Sequence, residues 1–365
     1  MIKLQHDVNI IFIMLGQQCN LSCKYCLQHD LITSILPSKN IRKEIITFIR
    51  CQAQQQSTPI DIRFYGGEPL IYFNSIKYIV NKLKDVNVTF SIISNGKLLT
   101  KEIVDFFNNN KFTNVAISWD GPNSIKTRKY DVFKEKLDLL LQIDNLGISS
   151  VYSAYNYPYD FIQSLLPLEE KYHKIHGKTF NFYGEEIMDS CANFTDLIDF
   201  DFNKISNQIN IIVNKIKTSL KEINAGTLTI ENSLYHSLFT IYCQSIYSHL
   251  NNYDKSFCSN GIKVINLDLE GNLYQCHNNW INIGNIFTSN NYEDYLKKAK
   301  QLDNITAQNL STLCKNCEVL PLCKCGCPLV SQDIRQKTKF CELRQVMYKP
   351  IINLINEALL NKGNF

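Results

Sequence analysis

Ile10-Ile11-Phe12-Ile13-Met14-Leu15-Gly16-Gln17-Gln18-Cys19-Asn20-Leu21-Ser22-Cys23-Lys24-Tyr25-Cys26 joins an unbroken apolar run to three cysteines spaced Cys-x3-Cys-x2-Cys. A short apolar run without polar alternation reads as a strand buried on both faces, as in a parallel sheet. The cysteines then lie on the loop at that strand's C-terminal end, where α/β proteins place their chemistry. Three thiolates on one tight loop can hold three irons of a [4Fe–4S] cube and leave the fourth iron to a ligand that is not protein. Structural zinc takes four protein ligands, and His29 is the sole nearby candidate for a fourth, so zinc is the weaker reading.

Downstream, short apolar runs alternate with helical periods. Strands are expected at Ile10–Gly16, Asp61–Gly67, Val88–Asn95, Asn114–Asp120, Ser150–Tyr155 and Lys178–Gly184. Helices are expected near Ile41–Arg50, Asn74–Lys84, Lys101–Asn109, Tyr130–Leu146 and Phe161–Lys171. Strands rich in Val, Ile, Phe and Tyr that alternate with helices of that length indicate βαβ units and a parallel sheet. Six units fall short of the eight in a closed (β/α)8 barrel, so an α/β fold with a partial (β/α)6 TIM-like barrel is expected. Phe202, Ile205, Ile209, Ile212, Ile216 and Leu220 recur at helical spacing, which makes Asp199–Lys221 an amphipathic packing helix. Beyond about Ser233 the pattern reads as short pieces rich in Gly, Asn and Cys, which need metals as staples. Glu342–Asn361 reads as a final helix. These features divide the chain into a core at 8–225, a cysteine-rich domain at 233–345 and a C-terminal helix at 346–365.

Composition narrows the function. Of 365 residues, 45% are apolar and 20% charged, the balance of a chain with a real core. A net charge of +4 without a long basic run makes no case for nucleic acid. No signal peptide precedes Val8–Leu15, and that run is far short of the ~20 residues that span a bilayer, so a cytoplasmic protein without membrane contact is expected. Fourteen cysteines are then too many for core filler in a reducing compartment, and metal or cluster ligation is the better account. Three lie at Cys19–Cys26 and eight between Cys258 and Cys341, which leaves Cys51, Cys191 and Cys243 outside both groups. Cys51 and Cys191 read as buried hydrophobes.

The first motif, with Tyr25 before its last cysteine, resembles the signature of the radical S-adenosylmethionine (SAM) superfamily. The resemblance implies that Cys19, Cys23 and Cys26 hold a cluster whose open iron binds SAM, and that reductive cleavage of SAM yields a 5′-deoxyadenosyl radical that abstracts a hydrogen atom. It gives Tyr25 an adenine contact. Phe64-Tyr65-Gly66-Gly67-Glu68-Pro69 looks like the family's Gly-Gly-Glu-Pro element, where backbone approaches the SAM amino group and glycine leaves room for it. Ser94-Asn95-Gly96 ends the third strand, either as a SAM contact or as a strand-to-helix turn. Ser118, in Ser118-Trp119-Asp120-Gly121-Pro122, would contact the ribose, and Arg128 the SAM carboxylate through its planar fork.

Cys314-x2-Cys317-x5-Cys323-x3-Cys327, then Cys341, with Cys258 and Gly271-x4-Cys276 upstream, is similar to the SPASM domain of radical SAM peptide and protein modifiers. That resemblance spans about residues 8–345 and implies two auxiliary [4Fe–4S] clusters. The inner would use Cys258, Cys276 and Cys327, with its fourth place open or filled by Cys243. The outer would use Cys314, Cys317, Cys323 and Cys341. Cys325 has no counterpart in the pattern.

Three functions compete. A maturase of ribosomally made precursor peptides would form a thioether, C–C or similar crosslink. An anaerobic sulfatase-maturating enzyme would make formylglycine, but such enzymes carry a proton-accepting aspartate directly after the cysteine matching Cys276. Here that place is His277, which could also accept a proton. A zinc-stapled binding protein without catalysis leaves the glycine, serine and arginine elements unexplained. The peptide maturase is favoured, as a monomer served by an electron donor such as flavodoxin or ferredoxin. With the first cysteine at 19 there is no room for an N-terminal leader-binding domain, so the barrel, the cysteine-rich domain or a partner would hold the precursor. The bond formed is not legible.

Overall fold

The computed structural model describes residues 7–28, 41–186, 195–250, 263–288, 293–299, 301, 314, 316–327, 329 and 332–360. Cys258, Cys191 and His29 fall outside them. The chain separates into two compact units. One comprises Met1–Ser118, Lys129–Gly147 and Cys258–Ile305, the other Trp119–Arg128, Ile148–Phe257 and Thr306–Phe365.

The first unit is organised around β1 (Ile10–Met14). Ile11, Phe12, Ile13 and Met14 are all buried, so both faces of the strand are covered. It pairs in parallel with β2 (Ile60–Tyr65), Ile10 opposite Asp61, and on its other edge with β7 (Val264–Asp268), Ile10 opposite Val264. β3 (Val88–Ser94) and β4 (Phe112–Ser118) continue the parallel pairing from β2. The antiparallel strands β8 (Asn272–Tyr274) and β9 (Asn282–Asn285) follow β7, giving the order β4-β3-β2-β1-β7-β8-β9 within this unit. Between the parallel strands run α1 (Lys43–Gln55), α2 (Phe73–Leu83) and α3 (Lys101–Asn108). Each buries an apolar stripe, such as Ile76, Ile79, Val80 and Leu83 on α2. Thr100 caps α3 by accepting the Ile103 N–H.

α4 (Ser124–Arg128) opens the second unit, and α5 (Val132–Leu140) returns to the first. β5 (Leu146–Tyr152) leads into the second unit, which also holds β6 (Asn181–Glu186) and most of the helix. α6 (Pro158–His176) closes on Gly177 at φ +64°, and after α7 (Thr195–Ile198), α8 (Phe202–Ala225) closes on Gly226 at φ +70°. Left-handed backbone of this kind favours glycine. α8 buries Ile205, Ile209, Ile212 and Ile216, the stripe expected of it.

The six strands form where the pattern puts them, but the helix expected over Tyr130–Leu146 ends at Leu140, and β5 begins at Leu146 rather than Ser150. A further expectation is corrected. The region after Ser233 does not begin as short irregular pieces, because α9 (Ile230–Leu250) runs through it for 21 residues. Leu234, Tyr235, Leu238 and Ile246 are buried, yet Ile241 and Tyr247 are exposed on the same helix. Apolar residues thus encircle it and blur the 3.6-residue stripe. Short pieces do follow, α10 (Leu320–Cys323) and α11 (Gln332–Lys337), before α12 (Phe340–Leu360). Among the described residues no helix is long and apolar enough to cross a membrane.

Candidate active site

The loop after β1 is tied to the ends of β2 and β3. Past β1 the backbone ladder continues: Leu15 N–H donates to Tyr65 O at 2.9 Å, Gly67 N–H to Gly16 O at 2.9 Å and Glu68 N–H to Gln18 O at 2.8 Å. Gln18 N–H donates to the Tyr72 hydroxyl at 3.2 Å. The approach explains the glycine pair. A Cβ on Gly67 would lie 2.3 Å from Gln18 O and 2.5 Å from Gln17 O, and one on Gly66 2.3 Å from Gly16 O. The neighbour that excludes a side chain from Gly66 and Gly67 is the cysteine loop itself.

Glu68 is buried and its carboxylate is saturated by the chain. It accepts from the Ser94 hydroxyl at 2.8 Å, Asn95 N–H at 2.8 Å and Leu70 N–H at 3.0 Å. Burial pushes its pKa up, against these hydrogen bonds, which favour the ionised form. Pro69 starts the short 3-10 turn Pro69–Tyr72 beyond it. Ser94 also accepts the Gly96 N–H at 3.0 Å, and the Asn95 carbonyl Oδ1 accepts the Lys97 N–H at 2.9 Å. Ser94 and Asn95 therefore build the turn after β3. Asn95 reaches further: its Nδ2 donates to Asn20 Oδ1 at 2.8 Å and to Cys19 Sγ at 3.9 Å. One side chain thus links the β3 turn to the first cysteine.

Cys19, Cys23 and Cys26 are half-buried thiols, and Cys26 N–H donates to Cys23 O at 3.2 Å. Burial raises the Cys19 thiol, with Glu68 and Cys26 adding in the same direction. Tyr25 is buried between them in sequence, and Ser118 stands half-buried at the end of β4. Arg128 belongs to the second unit. Its Nε lies 3.1 Å from Asp120 Oδ2, and this wholly buried carboxylate also accepts from the Thr127 hydroxyl at 2.7 Å and Val151 N–H at 3.0 Å. Arg128 is thus paired to Asp120 rather than standing as a lone fork.

Cys276 and His277 follow β8. Cys276 is buried and accepts the Asn278 N–H at 3.4 Å. The His277 ring stacks on Phe12 of β1, with centroids 4.2 Å apart at 9°, and meets Tyr65 edge-on at 4.8 Å. Burial and the Arg63 cation hold its pKa down to about 3, so the imidazole is neutral and weakly basic. Gln28, two residues past Cys26, donates to His277 O at 3.2 Å, a link that sequence reasoning missed because Gln28 belongs to no motif.

In the second unit burial raises the pKa of the Cys314 thiol, with Cys325, Cys341 and Cys317 adding in the same direction, and Cys314 and Cys325 share a hydrogen bond. Cys327 is buried, its carbonyl taken by Arg335 Nη2 at 2.9 Å. Cys243 is half-buried. Cys51 is exposed, not buried as expected, because it sits on the outer face of α1.

Among the described residues no three or more Cys, His, Asp or Glu side chains are arranged to hold one metal ion. Thiolates that each take a different iron of a cube need not converge on a single point. An all-sulfur donor set on the Cys19–Cys26 loop, with an amide N–H against one sulfur, fits an iron–sulfur cube.

Comparison with known proteins agrees. Residues 13–158 match the radical SAM superfamily model. The chain is 23% identical over 209 residues to the radical SAM cyclopropyl synthase TigE of Paramaledivibacter caminithermalis, a match that takes in 53% of this chain but only 41% of TigE. It is 23% identical to the cysteine-type anaerobic sulfatase-maturating enzyme of Clostridium novyi, covering 86% of this chain and 85% of the relative. Its fold resembles that of anSMEcpe solved with bound AdoMet (TM-score 0.64, 17% identity, 96% of this chain and 99% of the other). It also resembles Streptococcus suis SuiB bound to precursor peptide SuiA (TM-score 0.54, 15% identity, 88% and 72%). Residues 13–158 therefore carry a radical SAM domain.

Proposed function

We propose that the chain is a peptide maturase that cleaves SAM reductively and abstracts a hydrogen atom from one residue of a precursor peptide. The observation that carries this reading is the three-thiol loop, stitched to Gly66–Glu68 and touched at Cys19 by Asn95. SAM bound to a cluster on Cys19, Cys23 and Cys26 would supply the 5′-deoxyadenosyl radical. The chain's own part is positional. Glu68 fixes the β3 turn through Ser94 and Asn95, the glycine pair lets the loop lie against β2, and Tyr25 and Ser118 are the groups offered to adenine and ribose. Arg128, oriented by Asp120, is the proposed partner of the SAM carboxylate.

Cys276 and Cys327, with Cys258, are the proposed inner auxiliary ligands, and the Cys314–Cys341 group holds the outer cluster. A cytoplasmic monomer reduced by flavodoxin or ferredoxin completes the proposal. The SuiB complex with SuiA supports a precursor peptide as substrate. A second reading, sulfatase maturation, is favoured by the match to the C. novyi enzyme over most of both chains. Against it stands His277, whose stacked ring and low basicity suit packing better than proton removal.

The test is anaerobic reconstitution, dithionite reduction and assay of 5′-deoxyadenosine, first alone and then with candidate peptides. Absence of 5′-deoxyadenosine from loaded protein overturns the radical SAM reading of the loop. Formylglycine on a sulfatase peptide, with no mass change on precursor peptides, would replace the first reading by the second.

A further inference from the structure

The face of the sheet turned away from α3 carries a polar row. Phe64, Phe90 and Phe112 pack together, and Phe112 meets Phe106 and Phe107 of α3. Arg63 and Ser91, the strand neighbours of Phe64 and Phe90, therefore face the other way. On that side the registers align Asn266, Phe12, Arg63, Ser91 and Asn114 across β7, β1, β2, β3 and β4. A register shift beside Phe90 sets Asn114, rather than Thr113, opposite Ser91. Rows of this kind inside a barrel are ordinarily filled by Val, Ile and Leu. Here four of the five side chains are polar, one of them a cation.

Arg63 and its partner Asp61 leave each other half used. Arg63 directs both Nε and Nη2 at one oxygen, Asp61 Oδ2, at 3.1 and 2.7 Å. The Ser91 hydroxyl joins them, accepting from Arg63 Nε at 3.0 Å and donating to Asp61 Oδ2 at 2.8 Å. Among the described residues Arg63 Nη1 meets no acceptor, and Asp61 Oδ1 is buried without a donor. The Arg63 side chain is still 27% exposed and that of Asp61 18%, so the pair is open on this face. The guanidinium lies 5.3 Å from the Phe12 ring centroid, on the ring that stacks with His277. Tyr65 follows two residues on, roughly 7 Å along the strand, and adjoins Gly66, whose neighbour is the cysteine loop.

The unused groups define a ligand. Arg63 offers N–H donors, Asp61 offers one acceptor oxygen, and their two charges cancel. A carboxylate would set a second negative charge beside Asp61, and a cation would face Arg63. Either leaves an uncompensated charge in a partly buried site, which is costly. An amide presents C=O and N–H side by side and brings no charge.

We infer that the Arg63–Asp61 pair is a substrate-binding site that grips one amide group of the peptide, either a backbone peptide unit or the side chain of Asn or Gln. This rests on the proposed peptide substrate, and the test keeps the two apart because it reads binding and not turnover. Full-length protein, reconstituted anaerobically and supplied with SAM, is studied by crystal soaks and saturation-transfer NMR with three probes. N-methylacetamide stands for the peptide unit, propionamide for the side chain and propionate for the charged control. One of the two amides is expected at Arg63, its carbonyl on the guanidinium and its N–H toward Asp61, and the tighter of them names the source. Propionate should bind about tenfold more weakly or worse. Propionate held as tightly as the amides, or only water found at Arg63 in every soak, overturns the inference. Asp61→Asn combined with Arg63→Met removes both charges together and leaves no lone ion. It should weaken amide binding by about tenfold or more, and unchanged affinity also overturns the site. The soaks of unsubstituted protein decide the matter if that variant does not fold. Amide binding at Arg63 in a protein that modifies no peptide would remove the proposed function and leave the site standing.

Discussion

Gly67→Ala puts the packing of the cysteine loop to a direct test. The added methyl group would stand 2.3 Å from Gln18 O, 2.5 Å from Gln17 O and 2.6 Å from Gln18 C, all backbone atoms that no rotamer change can move. Ordinary contact begins at 3.4 Å, so Gln18 O must retreat by 1.1 Å (3.4 minus 2.3). Such a retreat breaks the Glu68 N–H to Gln18 O bond and strains the Gly67 N–H to Gly16 O bond beside it. Overpacking of this kind costs about 1–3 kcal/mol, and the lost hydrogen bond adds about 1 kcal/mol. The catalytic effect should be larger than the effect on folding, because Cys19 is the next residue. A reacting centre displaced by about 1 Å loses on the order of 100-fold in rate.

The variant should thus unfold in urea about 2–4 kcal/mol earlier and make 5′-deoxyadenosine roughly 100-fold more slowly. Gly226→Ala is the control that separates folding loss from loop displacement: nothing lies within 4 Å of its Cβ position, but its φ of +70° strains any side chain, so it should lose stability and keep its rate. A Gly67→Ala protein that forms 5′-deoxyadenosine within a factor of about three of the parent would refute the account of why this glycine is needed.

Asn95→Ala removes the donor to Cys19 Sγ and Asn20 Oδ1. About 1 kcal/mol of loop positioning goes with it, and 5′-deoxyadenosine formation should slow by roughly fivefold with the urea midpoint little changed. Asp120→Ala strips a buried carboxylate from Arg128, Thr127 and Val151, and urea denaturation should show a loss of about 3–5 kcal/mol. Glu169, buried on α6, has its pKa lifted by burial from an ordinary 4.5 to about 7. Its folded form binds more protons than the unfolded chain between those values, so stability is highest below the lower one and falls as pH rises through the upper. Glu169→Gln removes that titration, and its Tm relative to the parent should climb by about 2–4 °C between roughly pH 5 and pH 8. A pH-independent difference would show that Glu169 does not titrate there.

Strand positions were legible because β1 to β6 are short β-rich runs set between helices with clear stripes. The cysteine loop and the Gly66–Pro69 element were legible because their chemistry is local in sequence. What escaped depends on distance along the chain. α9 hides because apolar residues surround it, so no period marks its buried side. β7 is a five-residue run that nothing local pairs with β1. Glu68 could be named from its motif, but its bonds to Ser94 and Asn95 depend on the strand order that brings β2 beside β3. The His277 ring stacks on Phe12, a contact between residues far apart in sequence that no local pattern announces.

The pairing of β1 with β7 also sets a schedule for synthesis. Ile10 and Val264 are partners 254 positions apart (264 minus 10). At ~5–20 residues per second a ribosome needs roughly 13–50 s to travel between them. Throughout that interval one edge of the most apolar strand in the molecule has no native neighbour, and unpaired edges of that kind are where nascent chains aggregate. Production of this enzyme should therefore respond to translation speed and to chaperones that shield exposed strands, far more than its finished stability would suggest.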